Sequence, residues 1–144
     1  MNFSRRDFGN LLPGLVAAGV DNAQGKQLPL LPQKVYRNDE IPYTGNEQKK
    51  GRRIFYGSNH EGFNLEMHET ILGPGVETHP PHKHEHEEIV IVFEGTVEAN
   101  LAGNKQTADA GSVIYFGSNQ MHNLRNAGST RCRYYIVELR GKEV

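Results

Sequence analysis

The sequence has 144 residues, of which 36% are apolar, and a formal net charge of −1. This length is sufficient for one domain with its own core and too short for two domains of ordinary size. Because the charges almost balance, the chain offers no broad basic surface, and we exclude nucleic acid as a partner.

The N-terminal residues differ in composition from the rest of the chain. Ser4-Arg5-Arg6-Asp7-Phe8 precedes a short apolar stretch from Leu11 to Ala18, and this combination resembles a twin-arginine export signal. An amphipathic helix is the alternative interpretation. The stretch is too short to span a bilayer, so we expect no stable membrane anchor. The resemblance implies a prokaryotic protein of the periplasm or beyond, with a signal over residues 1–23 that is cleaved after Ala18 or Ala23.

Residues 24–50 are rich in Pro, Asn, Gln and charged side chains, and they predict a linker and an arm that lies against the following domain. From residue 51 to residue 144, short segments of strand character alternate with turn-forming residues, and no helical period is present. This pattern predicts a single all-β domain. The expected strands are residues 53–56, 63–72, 87–93, 96–101, 112–116 and 132–139.

The segment from Ile89 to Phe93 is apolar at every position, which a sheet with one solvent-exposed face does not require. We therefore expect both of its faces to be covered, one by the interior of a barrel and the other by a second sheet or a second subunit. The second possibility favours a homodimer. Closing the sheets into a barrel or jelly roll also removes exposed strand edges.

Ionisable residues are densest just before that apolar strand. In an extended chain, side chains alternate between two sides, so His82, His84 and Glu88 point the same way. Imidazole nitrogens and carboxylate oxygens are ligands that Zn, Fe, Mn, Ni and Cu accept. A fourth ligand, His122, follows a later strand and turn and completes the site if the chain returns to the same pocket. Two further histidines, His79 and His86, are expected at the rim or in hydrogen bonds to the ligands.

The two segments resemble the two motifs of the cupin superfamily. The second motif has Asn119 where Gly is common, and Asn is the residue other than Gly that best tolerates a left-handed backbone. The resemblance implies a cupin-type jelly roll, or double-stranded β-barrel, around one divalent transition-metal ion held by His82, His84, Glu88 and His122. The matching positions are Gly75, His82, His84, Glu88 and Gly95 in the first motif, and Gly111, His122 and Asn126 in the second.

Such an ion keeps one or two positions for water, substrate or dioxygen. The resemblance implies an exported, metal-dependent small-molecule enzyme of dioxygenase type, in which Glu88 can leave the ion and act as a base. Two alternatives remain open at this point. One is a metal-dependent isomerase, decarboxylase or lyase acting on a sugar or organic acid, and the other is a barrel that binds a small ligand without catalysis.

Overall fold

The computed structural model describes residues 28–141. The predicted export signal and the first residues of the predicted linker lie outside this range. Within it, no helix is long and apolar enough to cross a membrane. The described elements are a 3-10 turn at Asn38–Glu40 and the strands β1 (Thr44–Gly45), β2 (Lys49–Ser58), β3 (Asn64–Leu72), β4 (Glu87–Glu94), β5 (Thr96–Leu101), β6 (Asn104–Asp109), β7 (Val113–Phe116), β8 (His122–Asn126) and β9 (Cys132–Arg140).

The strands form two antiparallel sheets, one of six strands in the order β1-β2-β3-β9-β4-β7 and one of three in the order β6-β5-β8. A continuous apolar core lies where the sheets face each other, and it includes Val90 and Val92 of the larger sheet and Val97 and Leu124 of the smaller. Burying the apolar face of each sheet against the other is what stabilises a sandwich of this kind. The predicted all-β jelly roll is therefore confirmed.

Strand β4 shows which face of the large sheet is turned inward. Glu88, Val90 and Val92 are at most 4% exposed, whereas Ile91 and Phe93 are 39% and 55% exposed. Strict alternation along the strand produces this difference. Within the described chain the outer face of β4 is thus open, and the expectation that both of its faces are covered is not met by a single copy of the chain.

The region before residue 51 contributes to the large sheet. Ser58 accepts a hydrogen bond from Leu31 N at 2.9 Å and donates one to Pro29 O at 2.9 Å, so the arm lies along the end of β2. Strand β1 pairs with β2 further along. The boundary drawn from composition between residues 50 and 51 falls inside β2.

Candidate metal centre

His82 and His122 are joined through their backbones, although 40 positions separate them in sequence. His82 N donates to His122 O at 3.0 Å, and His122 N donates to His82 O at 2.8 Å. Nearby, Asn119 N donates to His84 O at 2.7 Å. Asn119 has a φ of 57°, so it adopts the left-handed conformation expected from its place in the second motif. Backbone hydrogen bonds alone therefore hold the two motif segments side by side.

The four residues predicted as ligands come together at this junction. His82, His84 and His122 each offer a ring nitrogen, and these atoms all lie within 4.8 Å of one another. The Glu88 carboxylate closes the group, with Oε1 3.0 Å from His84 Nε2 and Oε2 3.6 Å from His122 Nε2. The Glu88 carboxylate thus borders the group of three nitrogens on the side of His84 and His122, and with His84 and His86 it forms a second, overlapping donor group.

Backbone carbonyls fix which nitrogen of two of these rings carries the hydrogen. Nδ1 of His84 lies 2.8 Å from His86 O, and Nδ1 of His122 lies 2.8 Å from Gln120 O. A carbonyl oxygen only accepts hydrogen bonds, so a neutral ring must carry its hydrogen on Nδ1 and expose a lone pair on Nε2. Both Nε2 atoms are buried and have no hydrogen-bond partner among residues 28–141. A divalent cation fits this donor set, because it accepts the lone pairs that no protein donor meets.

The protonation states of His82 and Glu88 also suit a cation. Burial, together with the nearby imidazoles of His79 and His122, lowers the pKa of His82 to about 3, so this ring is neutral at physiological pH. Burial alone would raise the pKa of Glu88, but the imidazoles of His84 and His86 beside it hold that pKa well below its usual range. Neutral imidazoles and an ionised carboxylate are the forms that bind a divalent ion.

His79 and His86 flank the four predicted ligands on opposite sides. The His79 ring meets the His82 ring edge-on, with centroids 3.9 Å apart. The His86 ring stacks on the His84 ring, with centroids 3.5 Å apart and an interplanar angle of 4°. His86 Nε2 lies 3.7 Å from Glu88 Oε1 and 3.3 Å from Glu138 Oε2. His86 therefore connects the metal centre with a second carboxylate deeper in the interior.

That second carboxylate belongs to a buried polar network that the sequence did not reveal. Glu66, His68 and Glu138 are each at most 6% exposed. Arg53 Nε lies 3.0 Å from Glu66 Oε1, and the Arg140 guanidinium contacts both Glu66 and Glu138. The available signal was that positions 64, 66 and 68, which share one face of β3, are all polar. His68 also lies against the cavity described next.

A cavity of about 50 Å³ opens onto the metal centre. A single water needs roughly 10–15 Å³ on this measure, so the space admits a small ligand. Phe116, whose ring stacks on His122 at 4.4 Å between centroids, lines it together with apolar and polar side chains. Of the four predicted ligands, Glu88 and His122 face this cavity. The other lining residues are Lys49, Lys50, Gly51, Arg52, His68, Glu69, Thr70, Thr78, His79, Asn123, Leu124 and Ile136.

Solved structures with the same fold come from several organisms. An RmlC-like cupin from Shewanella frigidimarina has a TM-score of 0.63 at 18% sequence identity, covering 82% of this chain and 97% of its own. A cupin sugar phosphate isomerase from Silicibacter pomeroyi has a TM-score of 0.61 at 17% identity, covering 74% and 76%. A predicted oxalate decarboxylase from Thermotoga maritima has a TM-score of 0.55 at 23% identity, covering 74% and 99%. At these identities the likeness shows the fold alone.

Sequence comparison supports the same assignment. No curated protein matches the chain. The family model described as "Cupin domain" matches residues 68–138, a range that contains His82, His84, Glu88 and His122. Residues 68–138 thus match a cupin domain, and together with the fold this match supports the cupin superfamily for the chain.

Proposed function

We propose that this chain is a metal-dependent enzyme that transfers a proton on a small oxygen-bearing molecule, as an isomerase, decarboxylase or lyase does. One observation carries the proposal: Glu88 and His122 belong to the converging donor set and also face the cavity. A small molecule in that cavity therefore meets the donor set directly. When bound, a divalent ion supplies Lewis acidity, which polarises a substrate oxygen.

The side chains of the site divide the remaining work between them. The imidazoles of His82, His84 and His122 would bind the ion, because the joined backbones hold their rings in place. Glu88 is ionised and faces the cavity, so it is the candidate base that would accept a proton from the bound molecule. The apolar side chains of Phe116, Leu124 and Ile136 exclude water around the reacting atoms.

Two of the similar structures favour this class of chemistry. They are described as a sugar phosphate isomerase and a predicted oxalate decarboxylase, and both reaction classes rearrange or cleave a small oxygen-rich molecule. This support concerns the reaction class only.

The donor set also favours a second candidate, a dioxygenase. Three imidazoles and one carboxylate suit Fe, Mn, Ni and Cu as well as Zn, so the same site accommodates a redox-active ion. The apolar part of the cavity wall is compatible with a bound gas molecule. In this case the reaction consumes dioxygen, which gives a clear experimental distinction.

The test begins with identifying the metal by elemental analysis of protein purified from its native cell. The loaded protein is then assayed against a panel of small organic acids and sugars, with and without dioxygen, beside His122→Ala and the matched control His60→Ala at an exposed histidine. Turnover that is independent of dioxygen and lost only in His122→Ala supports the first candidate. Turnover coupled to oxygen uptake supports the dioxygenase instead. Ligand binding without turnover for any loaded metal overturns both and leaves a non-catalytic binding barrel.

We also propose that the chain forms a homodimer through the outer face of the large sheet. Ile91, Phe93, Val113 and Tyr115 lie on neighbouring strands β4 and β7 and are between 39% and 64% exposed. A contiguous apolar group of this kind is unusual on a monomer. A second copy of the chain covers it with the same surface, as a twofold interface requires.

Export remains a proposal that rests on the Ser4 to Phe8 sequence. Replacing Arg5 and Arg6 together by Lys keeps the charge of the segment and removes the feature by which it resembles the signal. We expect the wild-type protein in the periplasmic or secreted fraction of its native cell and the double variant in the cytoplasm. An unchanged distribution would contradict export by this route.

A further inference from the structure

Lys49 begins strand β2 and lies at the cavity that contains Glu88 and His122. Its partner in the β2–β3 register is Leu72, which is fully buried in the core, so the start of β2 is turned toward the interior. The Lys49 side chain is half-buried and lines the cavity together with His79 and Asn123. Lys49 and His79 therefore border the same space.

The Lys49 ammonium has no counter-ion in the structure. Across residues 28–141, no hydrogen bond or ion pair involves this group, although burial lowers the pKa of Lys49 and so disfavours its charged form. An ammonium held partly out of water without an acceptor is unfavourable. A ligand that supplies an acceptor removes this cost.

The other cationic side chains around the cavity already have partners within the protein. Arg52 lies 2.6 Å from Glu69 Oε2 and also donates to Asn38 O at 2.8 Å. Lys50 Nζ lies 5.8 Å from the centre of the Tyr43 ring, where cation–π attraction holds it. Among the described residues, Lys49 is therefore the cationic side chain of the cavity wall that is available to a ligand.

We propose that Lys49 binds the carboxylate of a small organic acid. A further oxygen of the same acid, outside the carboxylate, reaches the metal centre. The inference rests on the proposed function and narrows it, because it identifies the substrate as an acid. One uncommitted ammonium balances one negative charge. A phosphate ester carries more charge and is usually held by several donors or by an Arg fork, and the Arg52 fork is committed to Glu69. The volume of about 50 Å³ also favours a ligand of a few heavy atoms.

The test uses the metal-loaded protein and isothermal titration calorimetry. The probes are glycolate, which carries a carboxylate and a hydroxyl oxygen, glycolamide, which keeps the hydroxyl oxygen but has a neutral amide in place of the carboxylate, and inorganic phosphate. The variants are Lys49→Met, which keeps the length of the side chain, Lys49→Arg, which keeps its charge, and Lys50→Met as the matched control. Elemental analysis and thermal unfolding confirm that each variant is loaded and folded.

We expect Lys49→Met to weaken glycolate binding at least about tenfold, the usual effect of losing a hydrogen bond to a charged group. Glycolamide binding should change less than about twofold, and Lys49→Arg and Lys50→Met should bind glycolate nearly as the wild type does. Equal glycolate affinity in wild type and Lys49→Met, with full metal content, overturns the role of Lys49 and leaves the metal-centre proposal standing. Tighter, Lys49-dependent binding of phosphate than of glycolate overturns the carboxylate assignment. The proposed function is overturned if wild-type protein from its native cell carries no metal. The comparison of the Lys49 variants uses metal-loaded protein, so its result is independent of that finding.

Discussion

Glu88 and Glu138 face each other directly across the register of strands β4 and β9, and both are almost fully buried, at 4% and 1% exposed. Two buried carboxyls so placed cannot both be ionised without cost. Burial raises the pKa of Glu138 to about 7, even though the Arg140 guanidinium opposes the shift, whereas the pKa of Glu88 is held well below its usual range. The pair thus consists of an ionised carboxylate at the metal centre and a protonatable one behind it.

Replacing Glu138 by Gln should change how stability depends on pH. A carboxyl with a pKa near 4.5 when unfolded and about 7 when folded binds more protons in the folded state between those pH values. The wild type therefore loses stability through this group as pH rises from 5 to 7.5, on the order of 2 kcal/mol, and Glu138→Gln should lack that loss. Urea unfolding of metal-free protein between pH 5 and pH 8 measures it. An exposed control, Glu61→Gln, should follow the wild type, and parallel curves for wild type and Glu138→Gln would contradict the prediction.

The metal content should depend on the converging imidazoles. His82→Ala and His122→Ala each remove one of the three imidazole donors that lie within 4.8 Å of one another, so we expect less than about a tenth of the wild-type metal per chain. Elemental analysis after desalting is the measurement. The exposed His60 provides the control variant His60→Ala, which should keep full loading. Complete retention in His82→Ala or His122→Ala would show that the assigned ligand set is wrong.

Acid should destabilise the metal-free protein through its buried imidazoles. The pKa of His82 is about 3 and that of His79 about 4 in the folded chain, both lowered chiefly by burial from an ordinary value of 6.5. Between these values and pH 6.5 the unfolded chain binds more protons, so stability falls as pH drops from 7 to 5. For His82 we expect a loss on the order of 2 kcal/mol, because only the part of its shift between pH 6.5 and pH 5 acts over this range. In His82→Gln, which cannot titrate, urea unfolding should show a correspondingly smaller loss, and an identical loss would refute this explanation.

Asn126 should be important for stability rather than for metal binding. Its side-chain amide donates to Leu72 O at 2.9 Å and to Thr130 O at 2.7 Å, and its oxygen accepts from Gly128 N at 2.9 Å. Asn126→Ala leaves these backbone groups unsatisfied, and we expect the free energy of unfolding to fall by about 2–4 kcal/mol. The exposed Asn104 on β6 gives the control Asn104→Ala, which should change stability by less than about 0.5 kcal/mol. Similar midpoints for the two variants in urea would argue against this role.

The proposed dimer predicts a simple change in molecular mass. Ile91→Lys places a charge at the centre of the exposed apolar group on β4 and β7, where two copies would bring like charges together. Light scattering at micromolar concentration should show a dimer for wild type and a monomer for Ile91→Lys. Gln106→Lys on the exposed strand β6 should leave the dimer intact. A monomeric wild type would disprove the dimer at this concentration.

Sequence reasoning identified the candidate ligands that the fold brings together more fully than the residues around them. Strand parity predicted a common side for His82, His84 and Glu88, although the chain bends at residues 85 and 86 and β4 begins only at Glu87. Strand β6, in contrast, is polar at almost every position, because it packs few side chains into the core and so shows no apolar alternation. The Gly103-Asn104 pair, whose residue types favour a tight turn, is the local feature of the sequence that indicates a hairpin here.

The buried polar network and Lys49 were missed for another reason. Glu138 and His68 sit in segments whose composition suits a solvent-exposed face, and only the pairing of β3 with β9 turns them inward. Lys49 lies where composition indicated a linker, since its neighbours are polar. Non-local strand pairing decides the environment of all three residues, and a single sequence does not contain that information in its local pattern.

The candidate metal centre also lies where the two sheets meet. Glu88 belongs to the six-stranded sheet and His122 to the three-stranded one, so an ion coordinated by both acts as a cross-link between the two halves of the sandwich. Ions that bind only the folded chain raise its stability by mass action, in proportion to the logarithm of their concentration. The fraction of folded protein would then depend on the concentration of the metal. Chains that reach a metal-poor environment without an ion would be the first to unfold and be degraded.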